Sequence, residues 1–146
     1  MQFEDTNRAG PSGNASTARA LAFRRSTILL AEDEEFVRKV AYEILGAAGY
    51  IVLTARNAAE AVLAFRAHPE QVQLLLIDVV LPDRNGCELA QELPTLGRGI
   101  RAIFISGYPE NLVTRSGLQQ PGWCYLPKPF SAASLLQKVQ EALNER

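Results

Sequence analysis

Glu32 and Asp33, Asp78, Ser106 and Lys128 each stand at or just after the end of a short apolar run. If those ends meet, three carboxylates share one place, and like charges so confined either take up protons or bind a cation. Hard oxygen donors with no His or Cys among them favour Mg²⁺ over zinc or copper. Mg²⁺ keeps several waters and takes one or two carboxylates together with phosphate oxygens, which suits an open crevice. Lys128 adds a compact positive charge and Ser106 a hydroxyl donor. Cation, ammonium and hydroxyl around one carboxylate make a site for a phosphoryl-sized anion. Asp78 is then a candidate nucleophile that forms an aspartyl phosphate.

The elements that must position these groups are legible in the apolar pattern. Thr27–Ala31, Ile51–Thr54, Leu74–Ile77, Ala102–Ile105 and Cys124–Leu126 read as strands, nearly continuous in Ile, Leu, Val and Phe. Strands without polar alternation are expected to be buried on both faces, as in a parallel sheet covered by helices. Between them lie segments of helical period. Phe36, Val37, Val40, Ile44 and Leu45 share one face, ending near Gly46 or Gly49. Asn57 with Glu60 is close to a capping box and opens a helix through Val62 and Phe65 that stops before Pro69. Gly86–Leu93 is a third, cut by Pro94. Leu112 and Val113 mark a short fourth, and Ser131 caps a fifth that buries Leu135, Leu136, Val139 and Leu143. Strand–helix alternation predicts an α/β doubly wound domain, flavodoxin-like, a five-stranded parallel sheet of order 2-1-3-4-5 with helices on both faces. In such a sheet all C-terminal strand ends lie on one edge, beside the switch between strands one and three. The five polar residues converge there.

The whole chain has 146 residues, net charge −1, 47% hydrophobic and 21% charged residues, which describes one globular domain rather than a disordered chain. The charge balance gives no footprint for nucleic acid or an anionic membrane, and no apolar run is long enough to span a bilayer. Residues 1–25, rich in Gly, Ser, Asn, Ala and Arg, read as a disordered segment or linker ahead of a domain over 26–146. Cys87 and Cys124 form neither a disulfide framework nor a metal spacing, so a reduced, cytoplasmic setting is expected. His68 reads as an exposed helix-end residue, both cysteines as packing residues, and Trp123 as either a packing residue or a partner contact.

From Thr27 to Leu143 the chain resembles the receiver domains of two-component response regulators. The matching stretches are Ile28-Leu29-Leu30-Ala31-Glu32-Asp33-Glu34, Leu75 through Gly86 with Ile77-Asp78 and Leu81-Pro82-Asp83, Ile103-Phe104-Ile105-Ser106-Gly107-Tyr108, and Tyr125-Leu126-Pro127-Lys128-Pro129-Phe130. Within that family the last two stretches look most like receivers of hybrid sensor histidine kinases. Leu81 stands where many receivers carry Met. The resemblance implies Asp78 as phosphoacceptor from a histidine kinase or histidine phosphotransfer protein. It implies Glu32, Asp33, Asp78 and the Val80 backbone carbonyl as the Mg²⁺ ligands, Lys128 as the cation that pairs with the phosphoryl group, and Ser106 and Tyr125 as switch residues. It further implies a domain that catalyses its own phosphorylation and dephosphorylation but is otherwise no enzyme. A downstream protein partner would read the face made by the fourth helix, fifth strand and fifth helix; a weak homodimer is compatible with this.

Two rival readings differ in class. A receiver fold could serve as an interaction module that is never phosphorylated; the complete set of acids with Ser106 and Lys128 argues against it. A small-molecule phosphatase of the haloacid dehalogenase type usually carries a second Asp two residues after the nucleophile, where this chain has Val80. A flavodoxin-type phosphate loop after strand one is disfavoured by Glu32-Asp33-Glu34-Glu35, which would repel the phosphate.

Overall fold

The computed structural model describes residues 26–93, 99–107 and 121–144. The expected N-terminal segment, the expected helix around Leu112 and Val113, and Tyr108 lie outside these residues. The described elements are β1 (Thr27–Ala31), α1 (Glu35–Ala47), β2 (Ile51–Ala55), α2 (Ala58–Ala67), β3 (Val72–Asp78), α3 (Gly86–Glu92), β4 (Arg101–Ser106), β5 (Trp123–Pro127) and α4 (Ala132–Asn144). The strands form one parallel sheet of order β2-β1-β3-β4-β5, as the alternation predicts.

Period-two geometry splits the central strands between two cores. Leu29, Ala31, Leu75, Ile77, Ala102 and Phe104 face α2 and α3, where Phe65 and Leu89 close the packing. Ile28, Leu30, Leu74, Leu76, Ile103 and Ile105 face α1 and α4, meeting Leu45, Leu135 and Val139. Burying one such side chain contributes roughly 1.5–3 kcal/mol, so the sheet is fixed from both sides. Full burial holds for β1 and for nearly all of β3 and β4, but not for the edges. On β2, Ile51 is 53% exposed and Thr54 is exposed; on β5 only Leu126 is buried. An edge strand has a neighbour on one side only, and the apolar pattern alone does not show which strand takes that position.

The helix ends follow local chemistry. Asn57 accepts from the Glu60 amide at 2.8 Å, while the Glu60 carboxylate reaches back to the Arg56 amide at 2.8 Å, one residue before its place in a capping box. Asn85 caps α3 through the Cys87 amide at 2.6 Å, and Ser131 Oγ accepts from the Ser134 amide at 3.0 Å to start α4. After α1, Gly49 turns the chain at φ 102°, a conformation that L side chains resist. Leu93 leaves α3 in an extended conformation, as a residue before proline must. Trp123, half-buried, packs edge-on against Phe104 with ring centroids 4.6 Å apart. Cys87 is buried and Cys124 half-buried, and His68 is exposed at the end of α2.

Candidate functional site

The carboxyl edge of the sheet gathers the predicted residues. Glu32 follows β1, and its amide donates to the Ala55 carbonyl at 3.0 Å, so pairing with β2 carries it one residue further and encloses it completely, at 0% exposure. Asp33 next to it is exposed. The Arg38 guanidinium, from the first turns of α1, donates to the carbonyl oxygens of Glu32 at 2.9 Å and Asp33 at 3.3 Å and so fixes the loop that carries both acids. Asp78 closes β3 in register with Ile105 of β4 and is buried. One carboxylate oxygen from each of Glu32, Asp33 and Asp78 lies within 4.8 Å of the others.

The loop after Asp78 is shaped to hold it. The Val80 amide donates to Asp78 Oδ1 at 2.9 Å, and Val80 pairs antiparallel with Asn85. The Val80 side chain itself is 51% exposed. The Gly86 amide donates to the Val79 carbonyl at 2.8 Å. A Cβ at Gly86 would press into the Asp78 carbonyl oxygen and lie 2.7 Å from Ile77 Cγ2, so only glycine lets α3 begin this close to β3.

Ser106 ends β4, buried, one residue beyond the register partner of Asp78, and its carbonyl accepts from the Lys128 amide at 2.8 Å. The Tyr125 hydroxyl reaches the same carbonyl at 3.4 Å, which turns its ring inward. Lys128 Nζ stands 2.7 Å from Asp78 Oδ2, 2.8 Å from Glu34 Oε1 and 2.9 Å from Glu32 Oε1. The last contact has ion-pair distance but not hydrogen-bond angles, so buried Glu32 Oε1 lacks a donor of good geometry. Its other oxygen, Oε2, accepts from the Glu34 amide at 3.0 Å.

Burial dominates the titration of Glu32. It pushes the carboxyl pKa up to about 7, helped by the nearby Asp78 charge and opposed by the Glu34 amide and Lys128. For Lys128, burial works against the charge, but the hydrogen bonds it donates to Asp78 and Glu34 and its ion pair with Glu32 outweigh that and raise the pKa above that of an ordinary lysine. The two partners differ because Glu32 is enclosed, whereas the ammonium is shared among three carboxylates. Three acids thus surround a single ammonium, and Asp33 stands beside two of them. An excess of hard oxygen donors with one buried oxygen left poorly bonded fits a hard divalent cation.

Glu34 is the group that sequence reasoning did not assign. It lies inside a matching stretch, yet nothing in the local pattern shows that a residue 94 positions later will pair with it. Asp83 was likewise read only as part of a motif. Its carboxylate accepts from the Ala58 and Ala59 amides at the start of α2, at 2.8 and 3.0 Å.

Known proteins give the same picture. The response regulator receiver domain family matches residues 28–140. Over 121 residues the chain is 35% identical to the sensor kinase CckA of Brucella abortus, covering 83% of this chain and 13% of that protein. It is 31% identical to the response regulator receiver protein CpdR of the same organism, covering 80% of this chain and 95% of CpdR. The crystal structure of the receiver domain from the hybrid histidine kinase CckA superposes with a TM-score of 0.70 at 32% identity, covering 81% of this chain and 99% of that domain. The chain spans only a small part of some relatives, 13% of CckA and 24% of the NtrC regulator of Azospirillum brasilense, and nearly all of CpdR. The family match and the strand order therefore agree, and the chain belongs to the response regulator receiver domain family.

Proposed function

We propose that this domain is a phosphorylation-dependent signalling switch in which Asp78 accepts a phosphoryl group from a phosphohistidine donor on a histidine kinase or histidine phosphotransfer protein. The observation that carries the reading is the position of Asp78: buried, with Oδ1 on the Val80 amide at 2.9 Å and Oδ2 on Lys128 at 2.7 Å. These two donors orient the carboxylate before any phosphodonor arrives. In the transfer, an Asp78 oxygen forms the new P–O bond, the P–N bond of the donor breaks, and the electron pair leaves on the imidazole nitrogen. Glu32, Asp33, Asp78 and the Val80 carbonyl would hold Mg²⁺. Bound there, the ion offsets negative charge on the phosphoryl oxygens. Lys128 pairs with those oxygens, and its close neighbours leave it little freedom to turn away.

Ser106 and Tyr125 supply the response. Both already meet at the Ser106 carbonyl, so a shift of Ser106 toward a new phosphoryl group alters the seat of the Tyr125 ring. The changed face, with β5 and the last helix at its centre, is the one a downstream protein would read. The same site hydrolyses the aspartyl phosphate and resets the switch. A cytoplasmic setting, with residues 1–25 as a linker to a domain over 26–146, completes the reading; among the described residues no helix is long and apolar enough to cross a membrane.

The test is phosphate incorporation from a small acyl phosphate, with its site mapped. Mg²⁺-dependent incorporation at Asp78, absent in Asp78→Asn, is the expected result. No incorporation, or incorporation elsewhere, would sink the proposal and favour an unphosphorylated interaction module.

A further inference from the structure

Lys128 has three N–H donors and three carboxylate neighbours, and only two of those neighbours belong to the acid cluster. Glu32 and Asp78 are in it; Glu34 is not. Glu34 occupies the N-cap position of α1, where a side chain would ordinarily turn back to bond the first-turn amides. Its side chain makes no capping hydrogen bond. The carboxylate points instead across the crevice to Lys128 Nζ at 2.8 Å, although it is 61% exposed and free to choose solvent.

A divalent cation among Glu32, Asp33 and Asp78 competes with the ammonium for the same oxygens, and the two positive charges repel. The ammonium is largely enclosed, so it cannot give up all its partners without cost. It needs a carboxylate that the cation does not claim. We propose that Glu34 is a positioning residue that holds Lys128 beside the site while a divalent cation takes Glu32 and Asp78, so that cation and ammonium are bound together rather than in competition. This rests on the cation-dependent reading of the site given above.

Two mechanisms would both make loss of Glu34 weaken cation binding. Acting through Lys128, Glu34 matters only when the lysine is present. Acting as a bare negative charge near the cation, it matters regardless. The experiment is a calorimetric Mg²⁺ titration of the unphosphorylated domain as wild type, Glu34→Gln, Lys128→Met and the double variant. Glu34→Gln is expected to weaken Mg²⁺ about three- to fivefold, the scale of an exposed ion pair, with no further weakening when added to Lys128→Met. An equal loss in both backgrounds, or none in the wild-type background, overturns the proposal. If the wild type itself binds no Mg²⁺, the underlying reading of the site falls and takes the proposal with it.

A second measurement needs no lysine variant. Under saturating Mg²⁺, the Lys128 ammonium resonance should stay protected from solvent exchange in the wild type and lose protection in Glu34→Gln. Glu34→Asp, which keeps the charge, should recover part of it. Equal protection in wild type and Glu34→Gln overturns the proposal independently of any affinity.

Discussion

Asp83 caps a helix to which it does not belong: its Oδ1 accepts from the Ala58 amide at 2.8 Å, 25 residues earlier in the chain. With the Ala59 amide on Oδ2 at 3.0 Å, the contact ties the loop that follows the candidate phosphoacceptor to the first turn of α2. The start of α2 thus has two caps, Asn57 from its own chain end and Asp83 from across the sheet edge.

Removing the borrowed cap leaves two first-turn amides to solvent. Asp83→Ala should cost about 1 kcal/mol, the usual value for a lost cap, read as a melting temperature lower by several degrees. The Ala58 amide, then the Ala59 amide, hold the Asp83 carboxyl below its ordinary pKa of 3.8. A depressed acid stabilises the fold above its unfolded pKa and loses that contribution as pH falls through the folded one. The stability gap between wild type and Asp83→Asn should therefore narrow below pH 3.8. A gap that stays constant into acid would show that the carboxylate charge is not what caps the helix.

Lys128 is the only cation seen inside the acid cluster among the described residues, so removing it strands buried Glu32 and Asp78. Breaking a buried pair in this way typically costs 3–5 kcal/mol. Lys128→Met should melt well below wild type in chelator, and Mg²⁺ should raise its melting point by more than it raises the wild type's. At about 100 times the dissociation constant, a bound ion contributes roughly 2.7 kcal/mol. Equal Mg²⁺ responses in the two proteins would contradict a shared site for ammonium and cation.

If Asp78 is phosphorylated as proposed, Val80 should set the lifetime of that state. Hydrolysis needs a water placed in line with the bond to Asp78, and the half-exposed Val80 side chain offers only methyl groups to hold one. The phosphorylated domain should decay slowly for a receiver. Val80→Asn should decay about tenfold faster, at the cautious end of what positioned acid–base groups supply. Decay at the wild-type rate or slower would show that water placement at this position is not limiting.

Cys87 reports on the packing beneath α3. Burial, helped by Glu88, pushes its thiol pKa up to about 11 from 9.0. The folded protein then keeps the proton where the unfolded chain loses it, so this group's contribution is intact below pH 9.0 and is lost progressively toward about 11. Stability measured against pH should fall more steeply over that interval in wild type than in Cys87→Ala. Alkylation at mildly basic pH should reach Cys124 first, and preferential labelling of Cys87 would refute its enclosure.

What could be read from the sequence divides along physical lines. Runs such as Leu74–Ile77 announce a buried strand because solvent is excluded from both faces, and that exclusion is written in adjacent residues. The edge that gathers Glu32, Asp78 and Lys128 follows from strand direction alone. The exposure of Ile51 and Thr54 was not legible, because being at the edge depends on which strands find each other. Nor were the pairings of Glu34 with Lys128 or Asp83 with Ala58. A carboxylate beside an α-helix start has several local uses, and only the folded chain shows which distant donor it meets. Asn57 was different: its partner lies within three residues, and it caps its own helix.

The dependence of Glu32 and Asp78 on a single late residue also orders events during synthesis. A chain leaving the ribosome presents β1, β2 and β3 first, and the core against α2 and α3 draws largely on residues up to Leu93. Lys128 emerges 50 residues after Asp78. Until then the acids at the sheet edge have no ammonium and resist burial. The nascent domain can thus organise one face early, but its signalling edge stays open to water until the last strand and helix are made. A truncated product that stops before Lys128 would carry an unsealed acidic rim, ready to be distinguished from the finished domain by anything that surveys incomplete chains.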